Sequence, residues 1–256
     1  EAGGTNVEYD AIPDPVVVSI PDANLRAVLE SALGKNAGDT ITDAELVTLT
    51  EIEYVGKGPE ELQITDLTGI EHCVNLQNLN LYVNQINDIS ALSNLTNLTD
   101  LSLGGNSIID ISALSNLTGL TYLDLLENEI SNITSVSNLT GLTLLWLNNN
   151  LIIDISAVSN LTGLTNLDLN SNQLIGISAL TNLTNLQVLR LNGNPISDIS
   201  AVANLTNLTW LELYNNQISD ITILANLTNL TTLNLGNNQI SDISAVANLT
   251  NLTQLY

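Results

Sequence analysis

The sequence predicts an α/β solenoid, in which short repeats stack into a coil and their strands form one parallel sheet. The first observation is an asparagine that recurs every 22 residues through most of the chain. These asparagines are Asn84, Asn106, Asn128, Asn150, Asn172, Asn194, Asn216 and Asn238. The second observation is a constant leucine frame around each of them. A polar residue at a fixed period inside such a frame indicates one supersecondary unit stacked on copies of itself.

Each repeat is predicted to contain a short strand, a turn at the asparagine and a convex segment. The strand carries the pattern L-x-L, and the apolar residues after the asparagine return at every third position. That spacing suits a 3₁₀ or extended segment better than an α-helix. We expect each asparagine to point into the coil and pair with backbone groups of its own and the neighbouring turn, because buried polar groups are tolerated only when paired.

Two helices are predicted ahead of the repeats. Asp22 can cap the first helix, and Thr42 with Glu45 forms a capping box at the start of the second. We therefore expect residues 20–55 to form a helical N-terminal cap over the open end of the leucine core. Residues 1–19 show no solenoid register and are predicted to form a tether.

The first repeat, residues 56–75, is degenerate. Leu62 stands where the asparagine belongs, while Ile64 is already in register, so we infer an inserted loop of about five residues, which a turn tolerates. Residues 76–256 are then regular repeats with an uncapped C-terminal end. Because a bare solenoid end exposes leucines, we expect this end to contact a further domain or a second chain.

The frame L-x-x-L-x-L-x-x-N, present eight times, resembles the leucine-rich repeat family, and its 22-residue form is similar to the bacterial internalins. Two further stretches carry this resemblance: "NQISDIS" at residues 238–244, and the head "IPDANLRAVLESALGK" followed by "ITDAELVTLTEIEYV". The resemblance covers about residues 20–256. It implies a horseshoe with a parallel concave β-sheet, a 3₁₀ or extended convex side and a helical N-terminal cap. It also implies a secreted or cell-surface protein that binds other proteins.

Charge and composition exclude several functions. The net charge is −23, from 27 acidic and four basic residues, whereas nucleic acids and anionic membranes require a basic surface. No apolar run is long enough to span a bilayer, so direct membrane insertion is not expected. The chain starts at Glu1 and has no Met, so we expect an extracellular or cell-surface protein whose signal peptide has been removed.

An enzyme and a cofactor are not expected. The sequence offers no constellation of serine, cysteine and histidine for nucleophilic catalysis. Asp124 and Asp168 could lie at the separation of the carboxylates of a glycosidase. On an open sheet, however, no pocket is expected to raise the pKa of one of them, as general acid catalysis requires.

The predicted binding face is the concave sheet. Strand side chains alternate, so the residues between the leucines face this sheet or its edge. In residues 76–256 these positions hold all six aromatic residues of that range, and exposed aromatic clusters usually mark interaction surfaces. The predicted site comprises Tyr82, Tyr122, Leu126, Leu144, Trp146, Asp168, Arg190, Trp210, Glu212, Tyr214 and Tyr256.

Arg190 adds a charge to this face. The 22-residue period places its side chain between the carboxylates of Asp168 and Glu212, one strand away on either side. One interpretation is a self-neutralising surface triad, which contributes a fraction of a kcal/mol to stability. The other is a charged spot beside Trp146 and Trp210 that orients a ligand.

Three functions remain open on this reading. The first is a protein-binding module for adhesion or recognition, whose acidic surface would speed encounter with a basic partner. The second is carbohydrate binding, because tryptophan and tyrosine rings stack on sugars. The third is a structural spacer without a specific ligand.

An acidic ladder runs along the convex side. Stacked carboxylates about 4.8 Å apart repel one another unless each caps a local turn or shares a cation. Capping is favoured, because an aspartate two residues before serine or threonine suits it. No metal site is therefore predicted, and weak calcium binding is the alternative. Its candidate ligands are Asp88, Asp110, Asp198, Asp220 and Asp242.

Overall fold

A computed structural model describes residues 14–56 and 63–256 of the chain. Within these ranges, ten strands form one parallel sheet whose order follows the chain. The strands are β1 Glu51–Glu53, β2 Asn78–Asn80, β3 Asp100–Ser102, β4 Tyr122–Asp124, β5 Leu144–Trp146, β6 Asn166–Asp168, β7 Val188–Arg190, β8 Trp210–Glu212, β9 Thr232–Asn234 and β10 Gln254–Leu255. This sheet confirms the predicted solenoid.

Two α-helices precede the regular coils, and 3₁₀ helices line the convex side. The α-helices are α1 Ala23–Ala32 and α2 Asp43–Leu46. The 3₁₀ helices are Ile70–His72, Ser90–Leu92, Ser112–Asn116, Thr134–Val136, Ser156–Asn160, Ser178–Leu180, Ser200–Asn204, Thr222–Asn226 and Ser244–Asn248. The three-residue apolar spacing therefore predicted the convex segments correctly.

The core is a continuous stack of leucine and isoleucine along the coil axis. Each strand from β2 to β9 places one buried leucine between two residues that point away from the core, as Leu145 does in β5. Neighbouring strands pair leucine on leucine, for example Leu123 with Leu145 and Leu145 with Leu167. The outward-facing residues of successive strands therefore line up in columns across the concave face.

The asparagine ladder satisfies the backbone at each turn. Asn150 donates from Nδ2 to the carbonyl oxygens of Leu125 and Leu147 at 2.9 and 3.1 Å. Its Oδ1 accepts a bond of 3.0 Å from the backbone N–H of Ile130. The other ladder asparagines from Asn106 onward make the same three bonds. Their predicted structural role is confirmed.

The cap helices begin where their capping residues predict. The Asp22 side chain accepts backbone bonds from Asn24 and Leu25 at the start of α1. At α2, the Thr42 hydroxyl accepts the Glu45 backbone N–H, and the Glu45 carboxylate accepts the Thr42 backbone N–H, which completes a capping box. These bonds satisfy N–H groups that would otherwise be free at a helix start.

The structure differs from the predicted tether and cap in two places. Val17 forms an antiparallel bridge with Thr42, and Val18 is buried against the cap, so residues 16–18 pack with it. The burial of Val18 and Ile20 alternates with the exposure of Val17 and Ser19, but the sequence of this short apolar run shows no such alternation and did not predict a strand. The second difference is β1, a strand inside residues 20–55, where only helices were expected. Residues 1–13 lie outside the described ranges.

The strand register locates extra residues in the first repeat. Glu51 of β1 lies opposite Asn78, 27 residues later, whereas Asn78 lies opposite Asp100, 22 residues later. Ile64 already donates its backbone N–H to Asn84 Oδ1 at 2.8 Å, as Ile86 does to the next asparagine of the ladder. Five additional residues therefore fall between β1 and Ile64. Leu62 lies outside the described residues.

Candidate functional site

Two columns of outward-facing side chains form the centre of the concave face. In each strand one column residue precedes the buried leucine and the other follows it. Between β4 and β8 the first column holds Tyr122, Leu144, Asn166, Val188 and Trp210, and the second holds Asp124, Trp146, Asp168, Arg190 and Glu212. The fixed register thus gives each of these residues a known neighbour about 4.8 Å away on either side.

We call Tyr122, Leu144 and Trp146, with the flanking Asp124 and Asp168, the Trp146 cluster. The rings of Tyr122 and Trp146 meet edge to face, with centroids 5.3 Å apart and planes at 80°. Both rings and Leu144 are half-buried, so part of each faces solvent. Burial, with the nearby charge of Asp124, raises the pKa of Tyr122 to about 12, so its hydroxyl stays protonated at neutral pH.

Asp124 is the buried acid of this cluster, with only 3% of its surface exposed. Its Oδ1 accepts the backbone N–H of Leu126 at 3.0 Å, and its Oδ2 accepts the hydroxyl of Ser102 at 2.9 Å. Burial raises the pKa of Asp124, although both hydrogen bonds act in the opposite direction. The expectation that an open sheet raises no carboxyl pKa was wrong, because neighbouring side chains shield this carboxylate from water.

Replacing Asp124 with asparagine is expected to stabilise the fold at pH 7. Asparagine retains an acceptor for Leu126 and can donate to the Ser102 oxygen, while the desolvated charge is lost. We expect a gain on the order of 1 kcal/mol, or about 2–4 °C in Tm. Because the folded-state pKa of Asp124 is raised, its carboxyl stabilises the native state as pH falls towards 4, and this contribution is lost as pH rises through the raised value.

Thermal unfolding of Asp124→Asn and the parent between pH 4 and 7 measures this effect, and the gain should shrink as pH falls. Asp220→Asn is the matched control, because Asp220 is exposed and Asn132 already occupies the same register position with the same bond to the backbone. Equal Tm shifts for both variants at every pH would contradict the assignment of a buried charge at Asp124.

We call Asp168, Arg190, Trp210 and Glu212 the Arg190 group. Arg190 Nη1 lies 3.6 Å from Asp168 Oδ2, and Arg190 Nε lies 3.7 Å from Glu212 Oε1. The guanidinium carbon sits 5.7 Å from the centroid of the Trp210 ring. Trp210 Nε1 also donates to Glu212 Oε1 at 2.7 Å. Arg190 therefore lies between two carboxylates, as the repeat period predicted, and against an aromatic ring.

Asp168 belongs to both the Trp146 cluster and the Arg190 group. Burial raises the pKa of this carboxyl, while a hydrogen bond from the Asn170 backbone N–H and the charge of Arg190 lower it. In the strand register Asp168 lies between Trp146 and Arg190. Arg190 itself contacts Trp210 and is two strands, roughly 10 Å, from Trp146. The predicted charged spot beside both tryptophans is therefore a spot beside Trp210 alone.

Tyr82, Tyr214 and Tyr256 lie outside these two groups. Tyr82 rests against Gly104, where a Cβ would come within 3.0 Å of both the Tyr82 ring and Leu126. Tyr214, 47% exposed, rests in the same way against Gly236. Tyr256 follows β10 and is 66% exposed.

Sequence reasoning missed the two glycines that lie under these rings. Gly104 follows Tyr82 by 22 residues, and Gly236 follows Tyr214 by 22 residues. A glycine one period after a tyrosine was the available signal for this contact. Because no side chain projects from the next coil at these positions, each ring can lie along the surface of that coil.

The convex aspartates cap their turns. Asp110 Oδ1 accepts the backbone N–H of Ser112 at 2.8 Å, and Oδ2 accepts its hydroxyl at 3.0 Å. The same backbone bond, also of 2.8 Å, is made by Asp88, Asp198, Asp220 and Asp242, and these bonds lower the pKa of all four carboxyls. Across residues 14–56 and 63–256, no three histidine, cysteine, aspartate or glutamate side chains are grouped closely enough to hold a metal ion.

In the described part of the chain, neither α-helix has the length and apolar content needed to cross a membrane.

Comparison with known proteins identifies the repeats. A leucine-rich repeat family, described as Leucine Rich repeats (2 copies), matches residues 96–141, 162–205, 206–248 and 228–256, which together exceed half of the chain. A search of curated protein sequences gives no significant match.

Three solved structures from Listeria monocytogenes are similar to this chain. The internalin InlF is 44% identical over 92% of this chain and 68% of its own, with a TM-score of 0.87. Internalin C2 is 33% identical over 97% of this chain and 99% of its own, with a TM-score of 0.77. The functional domain of InlJ is 28% identical, with a TM-score of 0.75, and this chain spans 54% of it. With a matching repeat family, a matching cap and coil, and these identities, the chain belongs to the internalin family of leucine-rich repeat proteins.

Proposed function

We propose that this chain is an extracellular or cell-surface recognition module that binds a protein through the Trp146 cluster on its concave face. Its internalin-like relatives indicate a protein-interaction module. The single observation that carries the finer proposal is the edge-to-face pair of Tyr122 and Trp146, half-exposed in the middle of the sheet. Large aromatic side chains at the centre of a rigid surface are the usual anchors of protein interfaces.

The scaffold favours binding without rearrangement. Each outward-facing residue of the cluster stands on a strand whose leucine is buried, as in the sequence Leu144, Leu145, Trp146. Hydrogen bonds on both sides hold that strand in the sheet, which limits the backbone ordering required when a partner binds. A backbone held in this way loses less conformational entropy on binding than the backbone of a loop.

The charge of the surface favours a basic partner. Glu51, Glu53 and Asp100 line the N-terminal part of the concave face, next to Tyr122, around a cavity of about 280 Å³. With the net charge of −23, these acids produce a negative potential that accelerates encounter with a positively charged protein. We propose no catalytic role for this surface and no cofactor.

Replacing Trp146 with alanine is expected to weaken binding of the protein partner by at least 30-fold. This loss corresponds to about 2 kcal/mol, the threshold for an interface hot spot. The partner is to be sought by screening a displayed library of extracellular proteins with the parent chain, beside a glycan array. Affinity of each variant for the hit is then measured by biolayer interferometry.

Ile175→Ser is the matched control for the Trp146 variant. Ile175 is 67% exposed on the flank of the coil, and serine stands one and two periods later in the same register, at Ser197 and Ser219. This change should leave the affinity unaltered. A glycan hit lost with Trp146→Ala, without a protein hit, would establish carbohydrate binding instead. Equal affinity of both variants for the partner would exclude the Trp146 cluster as the contact, and absence of any hit would favour a structural spacer.

A further inference from the structure

The Arg190 group shows how this sheet holds a cation. The guanidinium of Arg190 lies between two carboxylates contributed by adjacent strands, with a tryptophan ring 5.7 Å away. Coulombic attraction and the quadrupole of the indole ring both favour a positive charge at this place. The position of Arg190 in the second column of the concave face therefore favours a cation, and here that cation is a side chain of the protein itself.

The Trp146 cluster has similar surroundings but, among the described residues, no cation of its own. In the register of the second column, Trp146 has Asp124 on β4 and Asp168 on β6 as its two neighbours. Asp100 lies beside Tyr122 in the first column. Two carboxylates therefore flank an aromatic ring here, as they flank Arg190 two strands further along.

The other basic side chains in the described ranges are engaged far from this place. Arg26 pairs with Glu30 at 2.9 Å, and Lys35 pairs with Glu45 at 2.5 Å, all within the N-terminal cap. Arg190 lies on the far side of Asp168 from Trp146. The carboxylate of Asp124 consequently accepts only neutral donors, the Leu126 backbone N–H and the Ser102 hydroxyl.

We propose that the Trp146 cluster binds an arginine or lysine side chain of the protein partner, with its charged group on the exposed part of the Trp146 ring, within the negative field of the buried Asp124 and of Asp168. This inference rests on the proposed function and names the chemistry of the residue that the cluster receives. The cation stacks on the aromatic ring, as Arg190 does on Trp210, and is attracted by the charges of Asp124 and of Asp168, which it shares with Arg190. Burial raises the pKa of the carboxyls of Asp124 and Asp168. As the pH falls and these carboxyls become protonated, their negative charge is lost and the affinity for the cation decreases.

The test uses a short arginine peptide and needs no knowledge of the partner. In a Trp210→Phe background, Trp146 is the only tryptophan, so its fluorescence and its indole N–H resonance report on the cluster. The probes are acetyl-Gly-Arg-Gly-amide and the same peptide with neutral citrulline in place of arginine. We expect saturable binding of the arginine peptide in the millimolar range, weaker at high salt, and at least fivefold weaker binding of the citrulline peptide.

Asp124→Asn should weaken arginine-peptide binding at least threefold, while Asp220→Asn on the convex side leaves it unchanged. The indole N–H resonance of each variant shows whether the cluster is intact, so a loss of binding is separable from a loss of fold. Equal affinity for the arginine and citrulline peptides, or full affinity in the Asp124 variant, would overturn the inference. A partner that requires Trp146 but binds the Asp124→Asn variant with full affinity would leave the proposed function standing and remove this inference.

Discussion

Asn150→Ala is expected to lower the free energy of unfolding by about 2–4 kcal/mol. The substitution leaves the N–H of Ile130 without its partner inside the coil. The carbonyls of Leu125 and Leu147 each lose one of two ladder bonds and keep the bond from Asn128 or Asn172. A buried backbone group that loses its partner costs about 1–3 kcal/mol, and water entering the space left by the amide recovers part of this cost. Urea-induced unfolding followed by circular dichroism measures the change.

Asn148→Ala is the control for this experiment. Asn148 lies two residues earlier in the same coil but is half-exposed on the concave side, so its loss should change stability by less than about 0.5 kcal/mol. The two variants remove the same chemical group from one coil and differ in where that group points. A change below 1 kcal/mol for Asn150→Ala would show that the ladder amides do not satisfy the backbone as the structure indicates.

The same periodicity explains why much of the fold could be predicted. An asparagine every 22 residues fixes the repeat, the facing direction of each leucine and the neighbour of each outward-facing residue. The strand β1 was missed because its three residues, "EIE", precede the regular period and follow a helical pattern. The contact of Val18 with Ile41 was missed because it depends on tertiary packing at the cap.

The sequence predicted which residues of the candidate site are neighbours in the sheet, but not how deeply each side chain is buried. The period placed Arg190 between Asp168 and Glu212, and the structure has these ion pairs. The burial of Asp124 was not predictable, because it depends on how the larger side chains of adjacent coils lie over it. The separation of the aromatics into the Trp146 cluster and the Arg190 group follows from strand spacing, since Trp146 and Trp210 are three strands, about 14 Å, apart.

Deletion of residues 147–168 is expected to preserve the fold and to weaken partner binding at least 30-fold. The deletion removes one whole period, so Trp146 is followed by Leu169 and the leucine frame and the asparagine ladder remain in register. Because each coil contacts only its neighbours, stability should fall by about the contribution of one repeat. On the concave face, however, Trp146 would then have Arg190 rather than Asp168 as its neighbour, which places a positive charge where the partner's cation is proposed to bind.

Deletion of residues 213–234 is the matched control, because it also removes one period but keeps every strand from β4 to β8. Circular dichroism and thermal unfolding should show similar losses of stability for the two proteins, while only the first should lose affinity for the partner and the arginine peptide. If both deletions bind equally well, the partner contacts a surface other than the Trp146 cluster. Since the two deletions have the same length, leave the same repeat frame and each remove one strand and one convex 3₁₀ helix, a difference in affinity points to the side chains of the concave face that each one removes or brings together.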